Sequence, residues 1–566
     1  MKHRFIYIMM LLVFSGCSLE EDRESFADRA NSYKNPFQAE AVVKSCYSNL
    51  HQIFNSNSAM MMEIATDLWF QNTSVVDAIC AISPSRSGSA SRIWKQCYNG
   101  IMRANEVIEC TMASDLDEDV KMRIQAEARV LRAMFYYYLT NTFNGVPYYD
   151  YMVADLPTME KIRKLPRTDA SVIRQTLYDD LKDNAIPYFT EENGLKKRTS
   201  EVKGNRAGYA MGLMMMAKFA MWNKDWDAAL LPLEALEELY GELTEANYPL
   251  DETVWWKKNT NESIFEIQHE WKSDGIQFSN TLCTNMYPVI SDDQTLDGVL
   301  WPRWGVNLSR HTCARTTYHF ACFKTEPGRD PIENTNAKYR RALFRPLPLT
   351  FGKYNDDWGR FEAVIDQNAE KTLTVRGEKV DKRVFYVLGL GNFETGETFN
   401  NIKEYGYAYG GMKFWIPNRT ANYDSNNYKL FRYADAVLMM AECWCMKGEF
   451  DKALKYLNYT RARACVDSYT EAEYSTEKAI MQLVMDERAR ELGGELHRKY
   501  DMVRWGTWYT ETKKQMNSTA YILKYIQPHH EYYPIPDTEC ALSNYVLTNP
   551  TYEGAPEIEG DFEDDI

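Results

Sequence analysis

Towards both ends of the chain apolar residues recur about every three to four positions, the spacing of one helix face, and over residues 245–428 that period fails. The clearest run opens at Leu430 and continues through Ala434, Val437, Leu438 and Ala441 to Glu442, without Gly or Pro, which predicts a helix. Lys447-Gly448-Glu449 breaks it, and a second amphipathic run carries Phe450, Ala453, Leu454, Leu457 and Ala464. Alanines where helices cross let the backbones approach, and Gly448 suits the turn, so the spacing predicts an antiparallel pair of tetratricopeptide type. A third run, Ile480 to Leu492, leads into Arg498–Gly506.

Earlier helices are expected over Pro36–Phe54, about 93–112, 117–140 and 207–222, the third stopped by Gly145 and Pro147. Ala217, Trp226 and Ala229 repeat the spacing of Ala441, Phe450 and Ala453. Four interrupted pairs result, at 36–112, 117–189, 205–240 and 430–464. The expected fold is mainly α: stacked tetratricopeptide-like helix pairs with an irregular, loop-rich insertion carrying a few short strands, one of them at Ser263–Gln268. The expected division is a signal peptide at 1–16, a tether at 17–35, a helical scaffold at 36–244, an insertion at 245–428, and a last helix pair with a C-terminal segment at 429–566.

The charge balance, 65 Lys and Arg against 80 Asp and Glu, gives a net charge of −15 and argues against a nucleic-acid surface. Lys2, His3 and Arg4 precede the apolar run Phe5–Phe14, a secretory signal too short to span a bilayer. Phe14-Ser15-Gly16-Cys17 resembles a bacterial lipobox, which implies lipidation at Cys17 and anchoring by more than the two lipid signals that stable attachment needs. Twelve cysteines leave an odd eleven after Cys17, scattered without paired spacing. Cys443 and Cys445 fall on different faces of one helix, wrong for zinc, so the thiols read as buried and inert and no metal site is expected.

Arg432-Tyr433-Ala434-Asp435, Ala441-Glu442, the Gly448 turn, Asn458, Arg461, Arg463, Ala464, Glu487-Arg488, Glu491-Leu492 and Asp501-x-x-Arg504-Trp505-Gly506 together resemble the signature of the SusD/RagB family, surface lipoproteins of Bacteroidetes nutrient-uptake systems. Ala128-Arg129, Leu131-Arg132-Ala133, Gly145-x-Pro147, Leu165–Thr168 and the tail Tyr532–Pro536 continue the likeness, which thins over 270–400. The resemblance implies a glycan-binding lid on a SusC-like TonB-dependent outer-membrane barrel, lipid-anchored at the cell surface, with no cofactor and no catalysis. Glu20-Glu21-Asp22 resembles the family's acidic export tag, and equally suits a solvated tether.

No nucleophile motif, phosphate loop or metal constellation stands out. Glu487 and Glu491 share a helix face, but glycosidase carboxylates must face each other across the bond being cut, and Arg488, Arg490 and Arg498 crowd these two, which favours structural ion pairing. His529-His530 reads as a pair of loop histidines. A sugar site needs flat aromatic platforms beside amides or charges, and Asp67, Trp69, Phe70, Gln71 and Asn72 offer both. By resemblance Trp301, Arg303, Trp304 and Trp358 join them, although rings in such loops also serve as loop cores. A surface glycoside hydrolase on a helical scaffold is the alternative function, and peptide or another nutrient the alternative cargo.

Overall fold

Pro36, which needs no amide partner in a first helical turn, opens helix α1 (Pro36–Phe54). The helices that follow are α2 (Gly88–Met112), α3 (Glu118–Phe143), α4 (Ala170–Asn184), α5 (Tyr209–Trp222) and α6 (Trp226–Tyr240). After the insertion come α7 (Tyr433–Met446), α8 (Phe450–Arg463), α9 (Glu477–Leu492) and α10 (Arg498–Trp505). Side chains of Asp169, Asp225 and Thr476 accept from the first-turn amides of α4, α6 and α9 and fix where they begin. The computed structural model describes residues 33–270, apart from 55–58, 60, 64, 71–82, 87 and 251–252, and residues 426–552, apart from 465 and 516–525. Between 271 and 425 it describes short strand segments, Arg383 and Lys413.

Each helix from α1 to α8, the short exposed Leu156–Arg163 aside, packs on the next, and α9 lies across α7 and α8. This is the stack of helix pairs expected from the periodicity, sharing one continuous core. Gly100 on α2 sits where an added Cβ would fall 2.2 Å from the Phe135 ring of α3, so only glycine allows that crossing. At the end of α3 the Gly145 turn pairs Val146 with Thr168, and a Cβ on Gly145 would meet the Thr168 carbonyl at 2.7 Å. Arg167 fastens this turn by donating to the Gly145 carbonyl at 2.7 Å and to that of Thr548 at 3.1 Å, and the Tyr533 amide donates to the Thr142 carbonyl. The second family-like block and the tail are thus parts of one junction.

Strand β2 (Ser263–Ile267) pairs antiparallel with β3 (Tyr428–Arg432), and all their residues are buried. Two expectations change here. The segment from Leu430 is not yet helical: β3 continues to Arg432, and the amide of Tyr433, the first residue of α7, still donates to the Glu262 carbonyl. The strand at 263–267, assigned by sequence to the insertion, packs Ile264, Phe265 and Ile267 into the scaffold core. Helix α2 also starts at Gly88, ahead of the start expected near residue 93.

Candidate functional site

The last two turns of α9 are buried on every side and yet carry Glu487, Arg488, Arg490 and Glu491. Burying a charge costs several kcal/mol unless it is paired, so the neighbours must supply partners. Arg432 reaches Glu491 and Glu262 at 2.7 Å each and Glu495 at 2.8 Å. Arg463 bonds Glu262 at 2.8 Å and also pairs with Glu491. Glu487 pairs with Arg383 and, at 2.8 Å, with Arg490, and accepts from the Thr460 hydroxyl at 2.6 Å. Burial raises the Glu487 carboxyl, but Arg383, Arg490 and Arg461 outweigh that and hold it at about 2. Glu495 reaches about 2 in the same way against Arg432 and Lys413, and Glu491 lies well below the usual carboxylate range. The structural ion pairing expected for Glu487 and Glu491 is what is found: both are ionised, saturated with donors and shut off from substrate.

A second group of ions joins α5, α7, α9 and α10. Asp435 bonds Lys218 at 2.6 Å and Arg488 at 2.9 Å, Arg488 bonds Asp501 at 2.7 Å, and Arg504 bonds Glu442 at 2.8 Å. The charged residues of the signature therefore cross-link helices.

The same lattice holds the two segments proposed to carry ligand contacts. Arg498, at the start of α10, grips Asp67 through two bonds of 2.6 and 2.8 Å. The Gly494 amide donates to Glu63 at 2.8 Å, the Lys499 amide to the Met62 carbonyl at 3.1 Å, and the Trp508 indole to the Ala65 carbonyl at 2.8 Å. Burial pushes the Glu63 carboxyl up to about 7. From the insertion, Arg383 enters the lattice at Glu487, and Lys413 reaches Glu495 at 2.7 Å and the carbonyls of Gly493 and Glu491 at 3.0 and 3.1 Å. Burial lowers the Lys413 ammonium to about 8. No sequence signal marks Arg383 or Lys413, since their partners lie some 80 to 110 residues away.

Strand β1 (Trp69–Phe70) pairs antiparallel with Ala314–Arg315, Trp69 opposite Arg315 and Phe70 opposite Ala314. This pairing joins the early loop to the insertion. Trp69 itself is 1% exposed and belongs to the core, which corrects its reading as an open stacking platform: the ring has no face left for a ligand. Asp67, also offered for hydroxyl contacts, is committed to Arg498. Cys17, Gln71, Asn72, Trp301, Arg303, Trp304 and Trp358 lie outside the described residues, as does the side chain of Phe70.

The six described cysteines outside a disulfide, Cys443 and Cys445 among them, are buried or half-buried thiols, and burial pushes Cys46 up to about 12. His529 and His530 lie in a short helical turn at Pro528–Glu531 against Tyr552, at 4.7 and 5.7 Å between ring centres. Among the described residues no group of three or more His, Cys, Asp or Glu side chains is placed to hold a metal ion.

Comparison with known proteins matches these features. Residues 353–552 fit the model of the SusD family, and residues 21–193 fit a model described as starch-binding associating with outer membrane. SusD-like protein P25 of Formosa agariphila is 23% identical over 579 residues, an alignment covering 97% of this chain and 98% of the relative. A SusD superfamily protein from Bacteroides vulgatus superposes with a TM-score of 0.61 at 18% identity, over 91% of this chain and 98% of that one. Surface glycan-binding protein A from Bacteroides thetaiotaomicron in complex with laminarihexaose gives 0.57 at 19% identity, over 90% and 98%. With both ends fitted by family models, the helix-pair stack shared with solved members and the signature built into one buried lattice, the chain belongs to the SusD/RagB family.

Proposed function

We propose that this protein is a cell-surface lipoprotein, anchored through Cys17 in the outer membrane, that binds oligosaccharide and passes it to a SusC-like TonB-dependent barrel without cleaving it. The observation that carries this reading is the position of the lattice around the α9–α10 turn, which fastens the early loop through Glu63 and Asp67 and the insertion through Arg383 and Lys413. A rigid frame that sets two loops side by side suits capture of a passenger, because preorganised contacts lose less entropy on binding. The solved relative holding laminarihexaose supports a glucan-type cargo, and the burial of Glu487 and Glu491 weighs against a hydrolase built on that pair. Phe70, Asn72, Trp301, Arg303, Trp304 and Trp358 are the residues proposed to meet the sugar.

Calorimetry against a panel of neutral glucan oligosaccharides, with Trp301→Ala and Trp304→Ala, tests the site. Loss of binding with an unchanged melting curve supports it, while unchanged affinity returns these rings to loop packing. Gentle detergent extraction tests the partner: co-purification with a large β-barrel is expected, and a lone monomer contradicts the lid role.

A further inference from the structure

A cleft of about 670 Å³ opens between α1, the start of α3, the 195–208 segment and β2, and it shares no residue with the β1 pairing. Its walls are apolar, with half-buried Leu195 and Val202 lining it beside the buried rings of Phe189 and Phe265, and the Phe265 ring stacks on Tyr47 at 6.2 Å. The volume falls within the range of about 300–1,000 Å³ usual for small-ligand sites.

Charge sets this cleft apart from the rest of a chain with net charge −15. Five cations line it, Lys44, Arg123, Lys197, Lys203 and Arg206, against the carboxylates of Glu40, Glu127 and Glu266. Each carboxylate already has a cation: Glu40 has Arg123 and Arg206, Glu127 has Arg206 at 2.7 Å, and Glu266 has Lys429 at 3.4 Å. Tyr47 adds its hydroxyl to Glu127 at 2.5 Å and in turn accepts from the Ala207 amide at 2.8 Å. The polar floor is therefore satisfied and rigid. Lys44, Lys197 and Lys203 make no ion pair with any described residue, and Lys44 and Lys203 are exposed while Lys197 is half-buried. Gly204 and Asn205, both at positive φ (81° and 51°), form the tight turn that follows Lys203 along the rim.

We infer that this cleft is a second binding site, for an anionic sugar unit whose carboxylate or sulfate group meets Lys44, Lys197 and Lys203 while its C–H face lies against the half-buried side chains of Leu195 and Val202. Apolar walls beside uncommitted ammonium groups match a ring with one hydrophobic face and one fixed charge, and they suit neither a neutral glucan nor a bare inorganic anion. The site is independent of the loop site proposed above.

Calorimetric titration of the purified chain with tetragalacturonate and with a sulfated carrageenan tetrasaccharide separates the two sources of charge. At least one of them is expected to bind, with affinity falling as salt rises and dropping tenfold or more in the Lys197→Gln/Lys203→Gln double variant. Both lysines are on the surface, so the melting curve should not move. Trp301→Ala, which addresses the other site, should leave this binding intact, so failure of one proposal does not pass to the other. Absence of binding by both anionic oligosaccharides, or affinity that survives the double variant, overturns the inference.

Discussion

The α5–α6 and α7–α8 hairpins are built to one plan and filled with opposite materials. Their turns carry the same three hydrogen bonds: the amides of Asn223, Lys224 and Asp225 donate to the carbonyls of Phe219, Met221 and Ala220, and those of Lys447, Gly448 and Glu449 to Cys443, Cys445 and Trp444. Lys224 and Gly448 both have positive φ, 59° and 78°. Where the second hairpin has Arg432, Asp435 and Glu442, the first has Gly208, Met211 and Lys218. Helix α5 fills its surroundings with methionines, whereas α7 carries a buried carboxylate at Asp435 and follows directly on Arg432. The small residues and the turn thus set the helix-pair frame, and the ions add the positions of the neighbouring loops.

Removing one ion should therefore hurt most. Arg432→Ala leaves Glu262, Glu491 and Glu495 short of a partner and should cost about 3–5 kcal/mol, read from the shift in denaturant midpoint. Met211→Ala at the matching hairpin should cost about 2–5 kcal/mol, by transfer and cavity terms. Its cost should be the same at pH 7 and pH 4. An equal pH dependence for both variants would erase the contrast.

Acid should separate the regions further. Glu487 and Glu495 have folded pKa values of about 2, below the unfolded value of about 4.3, so their contribution is complete above that value and is lost as pH falls towards 2. Glu63 works the other way: raised to about 7, it contributes fully below its unfolded value and loses that contribution as pH rises through 7. Denaturation midpoints measured from pH 2 to 8 should show both limbs. Glu487→Gln should flatten the acidic one and Glu63→Gln the one near neutrality.

Much of the frame was legible because its causes are local. Pro36 marks the start of α1, and the repeated alanine spacing marks the paired hairpins. The β2–β3 ladder was not legible, because its strands meet across more than 150 residues and β3 runs without a turn into α7. The signature showed that Glu487 and Glu491 would be paired, since arginines surround them in sequence, but Arg383 and Lys413 come from a region with no period. Trp69 misled for a related reason. An aromatic in a polar loop looks available, yet here Asp67 and Ala65 are held by α10 and Trp508, and the Trp69 ring is buried.

The smallest effect sharpens the shared plan. Lys224→Gly should stabilise the chain by up to about 1 kcal/mol, because a side chain at positive φ is strained where glycine is not. Gly448→Ala should lose a similar amount, and both changes should appear as opposite shifts in melting temperature.

The most direct test of the account is a titration of a bound-glycan series with the Asp67→Asn variant, with the products assayed in the same cell. Release of the early loop from Arg498 should weaken neutral oligosaccharide binding about tenfold or more. The scaffold should stay folded, and every oligosaccharide should be recovered intact. Affinity equal to that of the unaltered chain, or shortened sugars in the cell, would contradict it.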